Sequence, residues 1–202
     1  MSIEAPKRIR RTSEAAREAA VEAARALLIE SGPAAVTLKG VAGRIGTGHA
    51  NLLHHFGSAA GLQAALMDRM IRDTVDRAQQ AVDRLRSGEG SPRDIVDLVF
   101  DAHGRDGIGR LAAWLASTGE AARLRPLFDV LGDLIRAIEA GASMPADQAH
   151  RRIVDITLLL VLTSLGDSLI GPMLHDTLGD APGRARDIVT EHLLASLTHL
   201  AT

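Results

Sequence analysis

Apolar residues recur every three or four positions along most of this chain, which is the spacing of helices with one buried face. Between residues 37 and 62 the pattern divides into two short segments separated by glycines. The first segment has one apolar face, formed by Leu38, Val41, Ala42 and Ile45. Thr37 can cap its start, because a threonine oxygen accepts a hydrogen bond from an unpaired backbone N–H. Gly46 can end it, since glycine adopts the left-handed conformation without a Cβ clash.

A second short helix is predicted after this glycine turn, with Leu52, Leu53 and Phe56 as its apolar positions. Its other side chains are small or polar: His49, Ala50, Asn51, His54 and His55. Such a helix suits the DNA major groove, where each base pair presents a distinct pattern of donors and acceptors. Two helices joined by a tight turn also occur in many all-α proteins, so the spacing alone leaves a purely structural interpretation open.

The segment resembles the DNA-binding segment of the TetR family of transcriptional regulators. The matching positions are Thr37, Val41, Ala42, Gly46, Leu52, His55, Phe56, Ser58 and Leu62. A helix ending near Gly32 precedes them, so the resemblance covers roughly the first third of the chain. Three positions differ: Gly48, Leu53 and Ala59 stand where the family usually has Ser or Thr, Tyr, and Lys. The Tyr and the Lys of the family commonly contact DNA phosphates.

Individual roles follow from side-chain chemistry. Asn51 and His49 are expected to contact base edges, since asparagine can bind adenine through two hydrogen bonds. Lys39 and Arg44 are candidates for phosphate contacts, as are the N–H groups at the helix starts. His54 and His55 are expected either to bind phosphate or to brace the helix. The predicted DNA-binding set is Thr37, Lys39, Arg44, Thr47, Gly48, His49, Ala50, Asn51, His54 and His55.

The composition favours an all-α fold, because strand-forming aromatic residues are sparse and alanine, leucine and charged residues dominate. Helices are predicted from a Ser13 cap to Gly32 and in five stretches beyond the two short ones, at 59–86, 92–103, 124–140, 146–170 and 185–200, with a short helix around Trp114. Gly171-Pro172 is expected to end the helix at 146–170, and Phe128 is expected to point inward. The resemblance implies a helix-turn-helix domain over 1–60 and an effector-binding and dimerisation domain over 61–202.

Charge is unevenly distributed along the chain. Residues 1–58 contain eight Lys or Arg and five Glu, a balance of +3, while the remainder contains 15 and 20, a balance of −5. This asymmetry predicts a basic DNA-facing end on an acidic body. The first twelve residues carry Lys7, Arg8, Arg10 and Arg11 and are expected to form a disordered arm that either follows DNA or contacts nothing specific.

The helices at 146–170 and 185–200 carry more apolar surface than one core requires. The second half of the first is apolar nearly all round, so it must be covered on both sides. This pattern favours a homodimer through a four-helix bundle, the alternative being that both helices complete a monomer core. A two-fold dimer would present two recognition helices to successive major grooves about 34–36 Å apart on a palindromic double-stranded operator.

The resemblance also implies repression relieved by a small-molecule inducer bound in the body of the protein. Candidate pocket residues, which could equally be plain core, are Met70, Phe100, His103, Trp114, Thr118 and Phe128. Their character suggests a small apolar effector.

Enzymatic, metal and membrane functions find little support in the sequence. Gly107–Ala112 matches a dinucleotide fingerprint, but no strand precedes it; Gly166–Gly171 is too long for a nucleophile elbow. Adjacent His54 and His55 make a poor metal pair, and there is no cysteine. No catalytic residue, cofactor or metal is predicted. The longest apolar segment, 156–165, is too short to span a bilayer, and no signal peptide is apparent, which favours the cytoplasm. The alternatives are a helical sensor or interaction protein that does not read DNA and, less favoured, an enzyme.

Overall fold

A computed structural model describes residues 13–141 and 144–198 of the chain, and within this range all regular structure is helical, as the composition predicts. The chain divides into two compact units, Met1–Leu66 and Met67–Thr202. The α-helices are α1 (Ser13–Ser31), α2 (Leu38–Ile45), α3 (His49–Phe56), α4 (Ala59–Ser87), α5 (Pro92–His103), α6 (Ile108–Ser117), α7 (Arg125–Ala140), α8 (Ala146–Leu178) and α9 (Arg184–Thr198). Two short 3₁₀ turns, Pro33–Ala35 and Ala121–Leu124, precede α2 and α7.

The predicted boundaries of α2 are confirmed. The Thr37 side-chain oxygen accepts a hydrogen bond from the Gly40 N–H at 3.0 Å, which satisfies one N–H of the first turn. Gly46 ends the helix in the left-handed conformation, with φ of 66°. The predicted cap at Ser13 is wrong, since Ser13 is already helical and Thr12 lies outside the described residues.

The first unit has a small core shared by its helices. Side chains from α1, α2, α3 and the start of α4 are buried in it: Ala20, Ala24, Leu28, Val41, Leu52 and Leu62. Ser58 caps the start of α4 by accepting from the Gly61 N–H at 3.0 Å. The buried Gln63 amide donates to the Val36 carbonyl at 3.1 Å and so ties the first turn of α4 to the loop before α2.

The core of the second unit lies between α5, α8 and α9. It contains Val96, Phe100, Leu160, Val189 and Leu193, all of them buried. The sequence predicts an apolar stripe on α9, formed by Val189, Leu193, Leu197 and Leu200, and its first two members therefore belong to the core of the protomer itself. Its further predicted members, the Leu197 side chain and Leu200, lie outside the described part of the chain.

Ion pairs add to the contact between α5 and α9. The Arg186 guanidinium reaches Asp97 at 3.1 Å and Asp101 at 2.8 Å, and it lies 5.3 Å from the ring centroid of Phe100. Arg93 bridges Asp97 and Asp187. Because α5 and α9 are distant in sequence, this charge network fixes a contact that local spacing could not predict.

The prediction that Gly171-Pro172 ends α8 is wrong. The helix passes through Pro172, and Gly179 ends it with φ of 67°. A proline removes one backbone hydrogen bond, but surrounding contacts can outweigh that loss. Here His175 Nε2 and Asp167 Oδ1 pair at 3.1 Å across the proline, and Gly171 is buried.

The extended α8 also corrects the estimate of its apolar length. This helix is long and apolar enough to cross a membrane by length and composition, and only a small share of that apolar stretch is fully buried in the protomer. It nevertheless packs against α5, α6, α7 and α9 along one side. Its other side therefore presents apolar surface that the described protomer does not cover.

Candidate nucleic-acid interface

One face of α3 is anchored and the other is open. Leu52 is buried in the core of the first unit, while Ala50, Asn51, Leu53 and His54 are exposed. Because helical residues four apart lie on the same face, Ala50 and His54 occupy the middle of the exposed surface. Leu53, one of the predicted apolar positions of α3, is 45% exposed, since it follows the buried Leu52 by one position and is turned away from it.

Asn51, predicted to contact bases, lies beside Thr47, another residue of the predicted DNA-binding set. Its Nδ2 donates to the Thr47 hydroxyl oxygen at 3.2 Å, which joins the first turn of α3 to the turn that precedes it. This bond orients the amide in the free protein. A two-pronged contact to a base would have to replace it or share the amide group with it.

His55 and Phe56 belong to the packed side of α3. Both are half-buried, and their ring centroids are 6.3 Å apart. The Arg17 guanidinium of α1 lies 5.5 Å from the Phe56 ring centroid, a cation–π contact that ties α1 to α3. The sequence indicated neither Arg17 nor this contact. Of the adjacent pair His54 and His55, His54 is exposed to solvent and His55 is in the position of a brace.

Arg44 was predicted to contact phosphate, but in this structure it forms a two-pronged pair with Glu30. Its two terminal nitrogens lie 2.6 and 2.7 Å from the carboxylate oxygens. Hydrogen bonding from Arg44 lowers the pKa of the Glu30 carboxyl. The pair links the end of α1 to the end of α2, so Arg44 helps to position α2. Glu30 lies 14 residues earlier in the chain, which is why spacing did not reveal it.

The backbone groups at the two helix starts differ in what they can offer an anion. The N–H of Thr37 donates to the Ala35 carbonyl at 2.8 Å, so this predicted phosphate donor is engaged within the protein. Lys39, in the first turn of α2, is exposed, and Gly48 precedes α3 in an extended conformation without a side-chain cap. The first N–H groups of a helix have no intrahelical acceptor and favour negative charge.

A separate apolar cavity of about 120 Å³ lies within the second unit, between α4, α5 and α7. Of the six predicted pocket residues, His103 and Phe128 line it. Phe128 was expected to be inward, yet it is 54% exposed and α7 has no buried residue, because α7 covers a cavity and not a packed core. Burial lowers the pKa of His103 below its ordinary value.

The other four predicted pocket residues do not line this cavity, which corrects their assignment. Met70 and Phe100 are buried, and Phe100 packs in the α5–α9 core. Trp114 and Thr118 lie around the end of α6, where the Thr118 hydroxyl donates to the Trp114 carbonyl at 2.9 Å. The aromatic residues were chosen for their chemistry, and their helical positions turned most of them away from the cavity.

A wider polar cleft of about 650 Å³ tests the enzyme alternative directly, because His175, Asp167 and Ser168 all line it. The histidine pairs with the aspartate, but the Ser168 hydroxyl donates to the Leu165 carbonyl at 2.7 Å. The hydroxyl is thus bonded within its own helix, which is not the arrangement of an activated nucleophile. Within the described residues, no three His, Cys, Asp or Glu side chains cluster as metal ligands would.

In the first unit, α2 and α3 are joined by a tight glycine turn, and α3 packs on the helical core with one side and leaves a polar face open. This is the arrangement of helix-turn-helix DNA-binding proteins. Residues 20–66 match the sequence model described as bacterial regulatory proteins, tetR family. The HTH-type transcriptional repressor Rv3405c of Mycobacterium tuberculosis is 28% identical over 161 residues, covering 80% of this chain and 76% of that protein. The HTH-type transcriptional regulator Mb3439c of Mycobacterium bovis matches to the same extent.

Solved structures agree on the fold. A transcriptional regulator from Rhodococcus sp. Rha1 gives a TM-score of 0.61 at 20% identity, covering 89% of this chain and 96% of that one. A TetR transcriptional regulator from Legionella pneumophila gives 0.59 at 16% identity, covering 95% and 99%. Residues 20–66 therefore carry the sequence pattern of the tetR family of bacterial regulatory proteins, and the chain as a whole shares the helical fold of these solved regulators. The relatives are regulators and not enzymes, which confirms the prediction of a non-enzymatic protein.

Proposed function

We propose that this protein is a homodimeric repressor that binds a palindromic operator through α2 and α3 and leaves it when a small apolar inducer binds the second unit. The observation that carries the proposal is the open face of α3, with exposed polar side chains on a helix anchored by Leu52. One related protein, from Mycobacterium tuberculosis, is named a repressor. A protein with this role acts where bacterial DNA lies, in the cytoplasm.

The structure refines the roles we propose on DNA. His49, Asn51 and His54 face the bases, with His54 at the middle of the exposed face. Lys39 and the N–H groups at the start of α3, next to Gly48, contact phosphates. The remaining predicted residues, Thr37, Arg44, Thr47, Ala50 and His55, shape or position the two helices. Arg44 does so through its pair with Glu30.

We assign dimerisation to one exposed stripe of α8, called here the dimer face and formed by Leu158, Leu162, Leu169, Ile170 and Met173. The opposite side of α8, with Leu160 and Ser164, is buried in the protomer. A helix that packs on one side and is apolar on the other suits a second copy of the chain better than a lipid environment, which would surround it. On α9, the exposed Ile188 can extend this interface.

The cavity of the second unit is the proposed inducer site. Its lining is almost entirely aliphatic, and His103 and Phe128 are its notable exceptions. The related regulator from Saccharomonospora viridis, 19% identical with a TM-score of 0.59 over 93% of this chain and 97% of that one, was solved in complex with choline. Quaternary ammonium ligands favour several aromatic walls, and this cavity has one phenyl ring, so we propose a neutral apolar inducer here.

The proposal is tested by selecting bound duplexes from a random DNA pool at two salt concentrations. We expect an enriched palindrome whose half-sites lie about one helical turn apart, bound more weakly at the higher salt. Failure to enrich any sequence at low salt would contradict DNA reading. That result would favour the alternative of a helical sensor or interaction protein. The Leu53 and Ala59 side chains, in place of Tyr and Lys, would then account for the lack of DNA binding.

A further inference from the structure

A histidine and a serine form a polar pair at the edge of the apolar cavity. His103 of α5 lines the cavity, and its Nδ1 lies 3.0 Å from the Val99 carbonyl oxygen and 3.0 Å from the hydroxyl oxygen of Ser164 on α8. Ser164 is fully buried, and its hydroxyl lies 3.1 Å from the Val161 carbonyl, to which it donates. The pair is thus held by two helices.

These contacts determine which ring nitrogen carries the proton. A carbonyl oxygen can only accept, so Nδ1 must donate to Val99, and the Ser164 oxygen is a second acceptor for the same N–H. In a neutral imidazole the other nitrogen, Nε2, is then an acceptor. Because the Nδ1 edge is turned toward Val99 and Ser164, we take the Nε2 edge as the polar group that His103 offers to the cavity it lines. Burial, which lowers the pKa of this histidine, favours the neutral form.

The remainder of the lining offers little polar competition. Thr74 is the other polar side chain there, and its hydroxyl oxygen accepts from Arg77 at 3.5 Å. The other walls are aliphatic, apart from the ring of Phe128. A cavity of about 120 Å³ is close in size to apolar cavities of about 150 Å³ that hold benzene. The space therefore fits one six-membered ring.

We propose that the cavity binds a neutral single-ring phenol, whose hydroxyl donates to Nε2 of His103 while its ring contacts the aliphatic walls. This rests on the proposed inducer site and specifies its ligand. A hydroxyl buried without an acceptor is penalised, whereas one that meets Nε2 is compensated. The site should therefore tell phenol from toluene, which has nearly the same shape but no donor.

The test is isothermal titration calorimetry of the full chain with phenol and with toluene at neutral pH. We compare the wild type with His103→Leu, and with His150→Leu as the matched control, because His150 is exposed on α8 and does not line the cavity. We expect the phenol-to-toluene affinity ratio to fall about tenfold or more in His103→Leu and to stay unchanged in His150→Leu. An unchanged ratio in His103→Leu, or no phenol binding by the wild type, would overturn the proposal.

A measurement on the wild type keeps the test decisive if His103→Leu fails to fold. Saturating phenol should move the ring-nitrogen NMR shift of one histidine Nε2, and saturating toluene should not. No phenol-specific shift of any histidine contradicts the proposal. Operator release, measured on the same samples, is a separate readout. Phenol that binds without releasing the operator supports the ligand class and contradicts the inducer role. Operator binding without phenol binding overturns the ligand class and leaves the proposed DNA-binding function standing.

Discussion

Truncating Leu162 should weaken the proposed dimer strongly while leaving the protomer folded. The side chain is 63% exposed in the protomer and lies at the centre of the dimer face. Complete burial of a leucine is worth about 1.5–3 kcal/mol, so covering this exposed part contributes about 1–1.5 kcal/mol beyond alanine. In a two-fold dimer both protomers contribute a Leu162, so Leu162→Ala should reduce the free energy of dimerisation by about 2–3 kcal/mol. This corresponds to roughly a 30- to 140-fold rise in the dimer Kd.

Sedimentation analysis over a range of protein concentrations measures this Kd. The control is Ile29→Ala, because Ile29 is also an exposed aliphatic residue but lies on α1 of the first unit. We expect Ile29→Ala to leave the Kd unchanged and circular dichroism to show both variants folded. A Leu162→Ala protein that dimerises like the wild type would refute the assignment of this face, and a monomeric wild type would refute the dimer itself.

Three further predictions concern the DNA surface and the two cores. Asn51→Ala should cost about 1–3 kcal/mol of binding free energy on the selected operator and relax the sequence preference of the protein. Lys39→Ala should instead weaken binding to all sequences alike and reduce the slope of log affinity against log salt concentration by about one. Equal losses from Asn51→Ala on every sequence would contradict base reading. Gly61→Ala should destabilise the first unit by about 1–3 kcal/mol in denaturant unfolding, because the new Cβ would collide with the Phe56 carbonyl; an unchanged midpoint would count against this packing. Because burial lowers the pKa of His103, the unfolded chain takes up a proton on this histidine at a higher pH than the folded chain does. Its contribution to stability should therefore be complete above about pH 6.5 and decrease as the pH falls below that value. Thermal melts of His103→Leu should show a smaller loss of stability over that pH range.

Local chemistry predicted the first unit well. Caps and glycine ends depend on one or two residues, and therefore Thr37 and Gly46 could be assigned from the sequence alone. The course of α8 could not, since a proline ends a helix only when nothing else holds it. The pair between His175 and Asp167, eight residues apart across the proline, becomes visible only in three dimensions.

The cavity of the second unit was predicted less well from the sequence than the first unit was. Residue type identified which side chains could bind a ligand, but the direction of each side chain depends on the rotation of its helix. Phe100 and His103 are three positions apart on α5, yet one packs in the core and the other lines the cavity. Apolar residues that do line it, such as Leu131, resemble ordinary core positions in the sequence.

The basic residues of the first unit bear on how the proposed DNA affinity is divided between phosphate contacts and base contacts. Counting basic residues suggested a surface that binds phosphates, yet Arg44 is paired with Glu30 and Arg17 lies over Phe56. These side chains hold the helices in position, so their charge contributes less to the phosphates than the count implies. With Lys39 and helix N-terminal N–H groups as the proposed anchors of this unit, base contacts by α3 must supply a larger share of the binding energy. In the proposed repressor, such a division would gain in specificity what it gives up in salt-dependent, sequence-independent attraction.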